Sequence, residues 1–184
     1  GPTAPVPTPV VDGDFVYVTS GYNAGCLLLH LTDQGKGTAC AEVHKNKHMV
    51  NHHGGVLLTG GCVYGYDDNR GLVCQDFKTT EIVWAQKDCD ALWDKEHNRG
   101  VYGKMSLTCA DGRLYCYGED AGTVLLIEAT PKGLNVAGRF TVPEHTKIKR
   151  KSGKVWTHPV VADGKLYLRD QDLIFCYDVK DGDR

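Results

Sequence analysis

Short hydrophobic stretches, each interrupted by a glycine-containing turn, recur four times along the chain. Each predicts two strands joined by a tight turn, because Asp-Gly and Gly-Gly pairs readily adopt the positive φ that short hairpins need. The second strand of each hairpin carries a tyrosine at one fixed place, at separations of 47, 51 and 52 residues. The four hairpins are PVVDGDFVYV (9–18), VLLTGGCVYG (56–65), LTCADGRLYC (107–116) and PVVADGKLYL (159–168), and their tyrosines are Tyr17, Tyr64, Tyr115 and Tyr167.

Further strands are predicted after every hairpin. A third strand follows all four hairpins, near 26–31, 72–77, 124–129 and 174–179, and a fourth follows the first three, near 38–43, 81–86 and 135–140. Repeated units of four antiparallel strands are typical of β-propeller blades. A β-sandwich is the alternative for short strands with regular turns. The chain is therefore predicted to be all-β, with helical character limited to one turn in 90–97.

One β-propeller repeat domain of about four blades is the expected organisation of residues 1–184. The expected blades span about 7–51, 52–102, 103–156 and 157–184, and the last blade is incomplete. A net charge of −2 gives no basic field for nucleic acid, and no stretch is long and apolar enough to span a membrane. The eight cysteines form no CxxC pair, so buried thiols are favoured over a zinc site. Disulfide bonds between some of them are the alternative.

A motif in the second unit resembles the quinoprotein-like, PQQ-repeat propellers. There the stretch CQDFKTTEIVW places Asp76, Thr79 and Trp84 where the family has its Asp, its Thr-Gly turn and its blade-docking Trp. Thr80 replaces the usual glycine. The fourth unit repeats the start of the motif as CYDVKDG, with Asp178. NHHGG, SLTCADGRLYCYGED and THPVVADGKLYLRDQ resemble a bacterial, planctomycete-type branch of PQQ-like repeat proteins, which implies a periplasmic or secreted location.

The family's quinone chemistry is not carried over with its fold. Quinoprotein dehydrogenases hold pyrroloquinoline quinone (PQQ) with calcium, and many have a disulfide between adjacent cysteines. This chain has no adjacent cysteines, and no Glu, Asn and Asp set matches the calcium site. We therefore expect no cofactor and no catalytic residues. PQQ with calcium, as in part of a quinoprotein alcohol dehydrogenase, is the alternative.

Histidines near the starts of the innermost strands are the candidate ligand-binding residues. In a propeller the innermost strand of each blade lines the central channel, so residues just before it face the channel mouth. A small polar ligand, or a metal at His52, His53 and His158, could bind there. The alternative is that these histidines only cap strands and hydrogen-bond across blade starts. The channel candidates are Asn51, His52, His53, Ser106 and His158.

Two segments interrupt the repeat. The insertion 88–102 carries Trp93, which is either an exposed recognition residue or packed against a blade edge. Residues 145–154 are rich in Lys and Arg and form either an anion-binding patch or, more simply, a solvated linker.

Four blades are fewer than the seven or eight that the resemblance implies. We expect a non-catalytic scaffold or binding module that associates into a dimer of half-propellers, because two sets of four blades complete an eight-bladed ring. A missing propeller half as partner and a closed four-bladed monomer are the alternatives. This interpretation expects Arg184 to lie near the natural C-terminus.

Overall fold

The computed structural model describes residues 5–150 and 154–180, which form four antiparallel sheets in series. The strands of each sheet are hydrogen-bonded in chain order. Blade 1 contains β1 (Val10–Asp12), β2 (Phe15–Ser20), β3 (Gly25–Asp33) and β4 (Thr38–Asn46). Blade 2 contains β5 (Val56–Thr59), β6 (Cys62–Asp67), β7 (Gly71–Asp76) and β8 (Ile82–Ala85).

The second half of the chain repeats this order after a short insertion. One turn of 3-10 helix (Gln86–Asp88) and a small hairpin of β9 (Trp93–Asp94) and β10 (Arg99–Gly100) follow blade 2. Blade 3 contains β11 (Met105–Ala110), β12 (Arg113–Gly118), β13 (Thr123–Glu128) and β14 (Val136–Thr141). Within the described residues, blade 4 contains β15 (Val160–Ala162), β16 (Lys165–Asp170) and β17 (Leu173–Asp178). The all-β, four-stranded-blade prediction is confirmed.

The repeated tyrosine occupies the same register in every blade. Its backbone partners on the first strand are Val10, Leu57, Thr108 and Val160, for Tyr17, Tyr64, Tyr115 and Tyr167 in turn. The hairpin turns contain glycines at positive φ, such as Gly61 (φ 75°) and Gly112 (φ 70°). Side chains alternate between the two faces of a strand, so this shared register points all four tyrosines toward the same side of their blades.

Three hydrophobic clusters lie between successive blades. Blades 1 and 2 share a cluster around Tyr17, Leu28, Val63 and Phe77. Blades 2 and 3 pack through Tyr64, Cys74, Leu114, Leu125 and their neighbours, and blades 3 and 4 through Tyr115, Val124, Leu166 and Leu168. Each inner blade therefore packs against a neighbour on both faces, which explains why strands such as β6 and β13 have apolar side chains on both sides.

The family motif lies at a contact between blades. The Asp76 carboxylate accepts hydrogen bonds from the backbone N–H groups of Lys78 (3.0 Å) and Thr79 (2.8 Å) and from the Thr79 hydroxyl (2.9 Å). These bonds, led by that from the Thr79 N–H, hold the Asp76 pKa below its usual value. Trp84 lies 6.0 Å from the Tyr64 ring and donates from its indole nitrogen to the Thr130 carbonyl of blade 3 (2.8 Å).

Blade 4 uses its motif aspartate differently. Asp178 accepts a hydrogen bond from the Lys165 ammonium at 2.6 Å and one from the Lys180 N–H at 3.1 Å. Both bonds, the one from Lys165 first, lower its pKa.

One expectation for the insertion is wrong, and one of the two alternatives for Trp93 is confirmed. Residues 90–97 form no helical turn, because Trp93 and Asp94 pair with Gly100 and Arg99 in a hairpin. Trp93 is buried, so it is a packing residue and not an exposed recognition residue. No helix among the described residues is long and apolar enough to cross a membrane.

Candidate functional site

Buried carboxylates anchor the segments that link successive blades. Asp67, at the end of β6, accepts hydrogen bonds from the N–H of Val50 (2.6 Å) and from the N–H of Asn69 (2.9 Å). Burial raises the Asp67 pKa, although these bonds and the nearby Arg70 oppose the shift. Asp170, at the equivalent place in β16, accepts from the Thr146 N–H and pairs with the Arg150 guanidinium. We call the surface formed by the described link residues 47–55, 101–104, 142–150 and 154–159 the link face.

The link face contains an open pocket of about 340 Å³. Blade links and the turn after β12 contribute its walls, so the pocket spans blades 2, 3 and 4. Its lining residues are His52, His53, Lys104, Glu119, Lys154 and Trp156.

Glu119 is the centre of one wall of the pocket. Its carboxylate accepts hydrogen bonds from the Trp156 indole N–H (2.7 Å) and the Lys104 backbone N–H (3.3 Å). His53 Nε2 lies 3.5 Å and Lys154 Nζ 3.9 Å from its oxygens. Burial opposes ionisation of Glu119, but interactions with His53, Trp156, the Lys104 N–H and Lys154 outweigh it and lower its pKa to about 2. Glu119 is thus a fixed anion at physiological pH.

Asp68 lies next to the pocket and pairs with two of its lining residues, Lys104 and His52. The Lys104 ammonium donates to its carboxylate at 2.5 Å, and His52 Nδ1 lies 3.5 Å away. Asp68 and Glu119 are thus each accompanied by one lysine and one histidine, and the two lysine charges balance those of these two carboxylates.

A row of aromatic rings crosses the link face. Tyr22 lies 4.5 Å from His52, His52 lies 5.8 Å from His53, and His53 lies 4.9 Å from Trp156, all between ring centroids. The two ends of the row, Tyr22 and Trp156, are exposed, whereas His53 is buried. Neither ring nitrogen of His53 makes a hydrogen bond of good geometry with any residue that the structure describes.

The structure brings together two of the five channel candidates. His52 and His53 line the pocket, while Asn51 is fully buried and donates to the carbonyls of Gly55 (2.9 Å) and Tyr66 (3.0 Å). Ser106 is buried in β11, and no described residue pairs with its hydroxyl. The exposed His158 ring lies over Gly55, where a β-carbon would come within 3.0 Å of Cε1.

The metal site at His52, His53 and His158 stays a prediction. In residues 5–150 and 154–180, no group of three His, Cys, Asp or Glu side chains is arranged to hold a metal ion. His52 and His53 instead face the carboxylates of Asp68 and Glu119.

The sequence interpretation missed most of the pocket. Glu119 and Asp68 directly follow second strands, where a repeated acidic residue is the available signal, and Trp156 precedes a strand in KVWTH. Two cations of the basic segment are paired, Arg150 with buried Asp170 and Lys154 with Asp120, whereas Lys147 and Lys149 are exposed as in a solvated linker. Lys151, and Gly182 of the fourth motif, lie outside the described residues.

Known proteins share this architecture. Residues 3–86 match the family model described as outer membrane protein assembly factor BamB. No curated protein matches the chain significantly. The structure is similar to that of BamB from Moraxella catarrhalis, with a TM-score of 0.60 at 15% identity, covering 94% of this chain and 43% of that one. It also resembles apo AztD from Citrobacter koseri, with a TM-score of 0.51 at 12% identity, covering 93% of this chain and 43% of that one.

A europium-containing methanol dehydrogenase is more distant, with a TM-score of 0.45 at 16% identity, covering 74% of this chain and 24% of that one. Similarity at that level supports no functional argument. The chain spans less than half the length of the two proteins with higher scores, and at these identities the similarity shows the β-propeller fold alone.

Proposed function

We propose that this chain, a PQQ-like β-propeller protein by its fold and family match, is a non-catalytic binding scaffold that associates with a second copy of itself. The observation that supports association is the changing exposure of one repeated residue. The tyrosine in the second strand is 0% exposed in blade 1, 1% in blade 2 and 9% in blade 3, but 39% in blade 4.

The exposure of Tyr167 follows from its place in the blade series. Tyr17, Tyr64 and Tyr115 pack against the blade that follows their own, whereas no described blade follows blade 4. Val160, Ile174 and Cys176 are exposed on the same face of blade 4. This face has an apolar centre, flanked by the charged side chains of Lys165, Arg169 and Asp178, and such an exposed apolar centre favours association.

Blade 1 presents the complementary face. Two cross-strand pairs there, Val16 with Leu29 and Val18 with Leu27, are only partly buried. The equivalent pairs of blade 2 include Val63 and Val73, which are fully buried against blade 1. The open face of blade 4 can therefore meet that of blade 1 as successive blades meet inside the chain. Two copies joined at both faces would form a closed eight-bladed ring.

Solution mass tests this association. We expect light scattering to give twice the 20.2 kDa chain mass, and Tyr167→Lys to yield a folded monomer because it places a charge in the interface. Val83→Lys is the matched control, since Val83 is a similarly exposed apolar residue on the outer strand of blade 2. A wild-type monomer with a cooperative melt would overturn self-association. A separate propeller half would then be the partner that covers the open faces of blades 1 and 4.

The location of the protein and the binding of a quinone cofactor are two further questions for this proposal. The description of the matched family as an outer membrane assembly factor favours the cell envelope, so we propose a periplasmic location. No specific observation favours the quinone-dependent alternative. Its test is the visible spectrum of the protein after addition of PQQ and calcium, together with a dye-linked alcohol oxidation assay.

A further inference from the structure

Trp156 presents an immobilised aromatic surface in the link-face pocket. Its indole N–H is bound by Glu119 at 2.7 Å, and the His53 ring lies against it with 4.9 Å between centroids. The side chain is nevertheless 48% exposed. An indole whose polar edge is already satisfied offers its free surface only for apolar contact, and its fixed orientation reduces the entropy lost when a ligand packs on it.

The polar residues around this surface are balanced in charge. Three cations, Lys104, Lys154 and Arg99, oppose the carboxylates of Asp68, Glu119 and Asp120. Lys104 is bound to Asp68, and Lys154 and Arg99 both pair with Asp120. A multivalent anion would meet three carboxylates here, and a cation would meet two ammonium groups. The electrostatics therefore disfavour both, including nucleic acid, whose binding depends on uncompensated basic side chains.

The lysines and carboxylates around Trp156 still have hydrogen-bond donors and acceptors available for a ligand. Each lysine ammonium has three donors and each carboxylate about four acceptor positions, more than the contacts in the structure use. His53 adds an imidazole that is more than nine-tenths buried and lacks a hydrogen bond of good geometry to the described part of the chain. Only a ligand that has both hydrogen-bond donors and acceptors can bind to the lysines and the carboxylates around Trp156 at the same time.

We propose that the pocket binds a neutral carbohydrate, with one sugar ring stacked on Trp156. A pyranose has an apolar C–H face and a rim of hydroxyls that both donate and accept, which matches a flat indole surrounded by paired lysines and carboxylates. The pocket volume of about 340 Å³ suits a sugar ring, and its open form leaves room for a longer chain. This inference rests on the proposed binding function and names its ligand class.

Tryptophan fluorescence and calorimetry test the proposal on the complete chain. The probes are glucose, N-acetylglucosamine, maltose and cellobiose, with inorganic phosphate and citrate as the anionic comparison. We expect at least one saccharide to bind and to change the emission, and Trp156→Ala to weaken that binding at least tenfold. Trp156→Phe should lose less, because it keeps an aromatic surface. Lys104→Met should weaken binding even if a Trp156 variant folds poorly.

Tyr167→Lys separates this inference from self-association. The pocket lies between blades 2, 3 and 4 of one chain, so this monomeric variant should bind saccharide as tightly as the wild type. Loss of association with retained sugar binding supports both proposals independently. Binding of phosphate or citrate without any saccharide response, or no saccharide binding up to about 50 mM, would overturn the carbohydrate proposal.

Discussion

Thr80 allows the contact between blades 1 and 2 to be measured. It has a positive φ of 59°, in the place where the related motif has glycine, and its side chain is buried. Its hydroxyl accepts a hydrogen bond from the Asn46 amide of β4 at 2.7 Å. Its carbonyl accepts from His48 Nδ1 (2.9 Å) and Gln75 Nε2 (2.5 Å). The residue thus combines an unfavourable backbone conformation with a favourable contact between blades.

Three opposing free energies decide the effect of Thr80→Gly. Relief of the left-handed conformation contributes about 1–2 kcal/mol of stability. Loss of the hydrogen bond to Asn46 costs about 0.5–1.5 kcal/mol, and the extra freedom of glycine in the unfolded chain costs about 0.4–1 kcal/mol. These contributions nearly cancel, so the free energy of unfolding should stay within about 1 kcal/mol of the wild-type value. Thr80→Ala loses the hydrogen bond but keeps the strain, and should be destabilised by about 1–2 kcal/mol.

Urea unfolding tests this reasoning. The variants to compare are Thr80→Gly, Thr80→Ala, Asn46→Ala and the double variant Asn46→Ala/Thr80→Ala. The double-mutant cycle should give a coupling free energy of about 1 kcal/mol between Asn46 and Thr80, since their side chains are in direct contact. A coupling of zero would show that the hydrogen bond does not stabilise the blade contact. A Thr80→Gly variant less stable than Thr80→Ala would refute the assignment of strain to this position.

Two further predictions use pH and thiol reactivity. Because Glu119 has its pKa lowered from 4.5 to about 2, it stabilises the fold fully above pH 4.5 and loses that contribution as the pH falls toward 2. The wild type should therefore lose about 3 kcal/mol relative to Glu119→Gln in unfolding measurements across this range, and parallel curves would contradict the effect. Cys40 and Cys176 are the exposed thiols, so Ellman's reagent should react quickly with two groups per native chain. Cys176 should react more slowly at protein concentrations that favour the dimer, and equal rates at all concentrations would argue against its place in the interface.

Blade structure was predictable because its determinants repeat. Each hairpin needs a positive-φ turn and each blade contact needs a tyrosine at one register, so the same residues recur about every 50 positions. The motif Asp76–Trp84 was informative for the same reason, since its hydrogen bonds are made within one turn or to the next blade. The prediction of a helical turn in 90–97 was wrong, because that segment belongs to no repeat and had no equivalent segment to compare with.

The pocket could not be predicted in this way because its residues occupy repeated positions but change type from blade to blade. His53, Lys104 and Trp156 each lie eleven residues before the repeated tyrosine of their blade. Trp156 and Glu119 are 37 positions apart and meet only after blades 3 and 4 have packed together. His52 and His53 were recognised as unusual, but their partners Asp68 and Glu119 come from turns of two different blades. The repeat marks these positions in the sequence, but the pairing of their side chains is evident only in the folded chain.

The pocket residues keep their positions in the repeat but change type from blade to blade, which suggests where binding specificity can change. Asp67 and Asp170 hold the links through backbone N–H groups, which any residue except proline provides at Val50 and Thr146. The link side chains that line the pocket, such as His52 and Trp156, can therefore vary while the blades keep their packing. Substitution of Trp156 should alter binding with little effect on the blade cores, whereas substitution of Tyr64 should unfold the chain without any direct contact with the ligand. The link face can thus change its ligand on a constant scaffold.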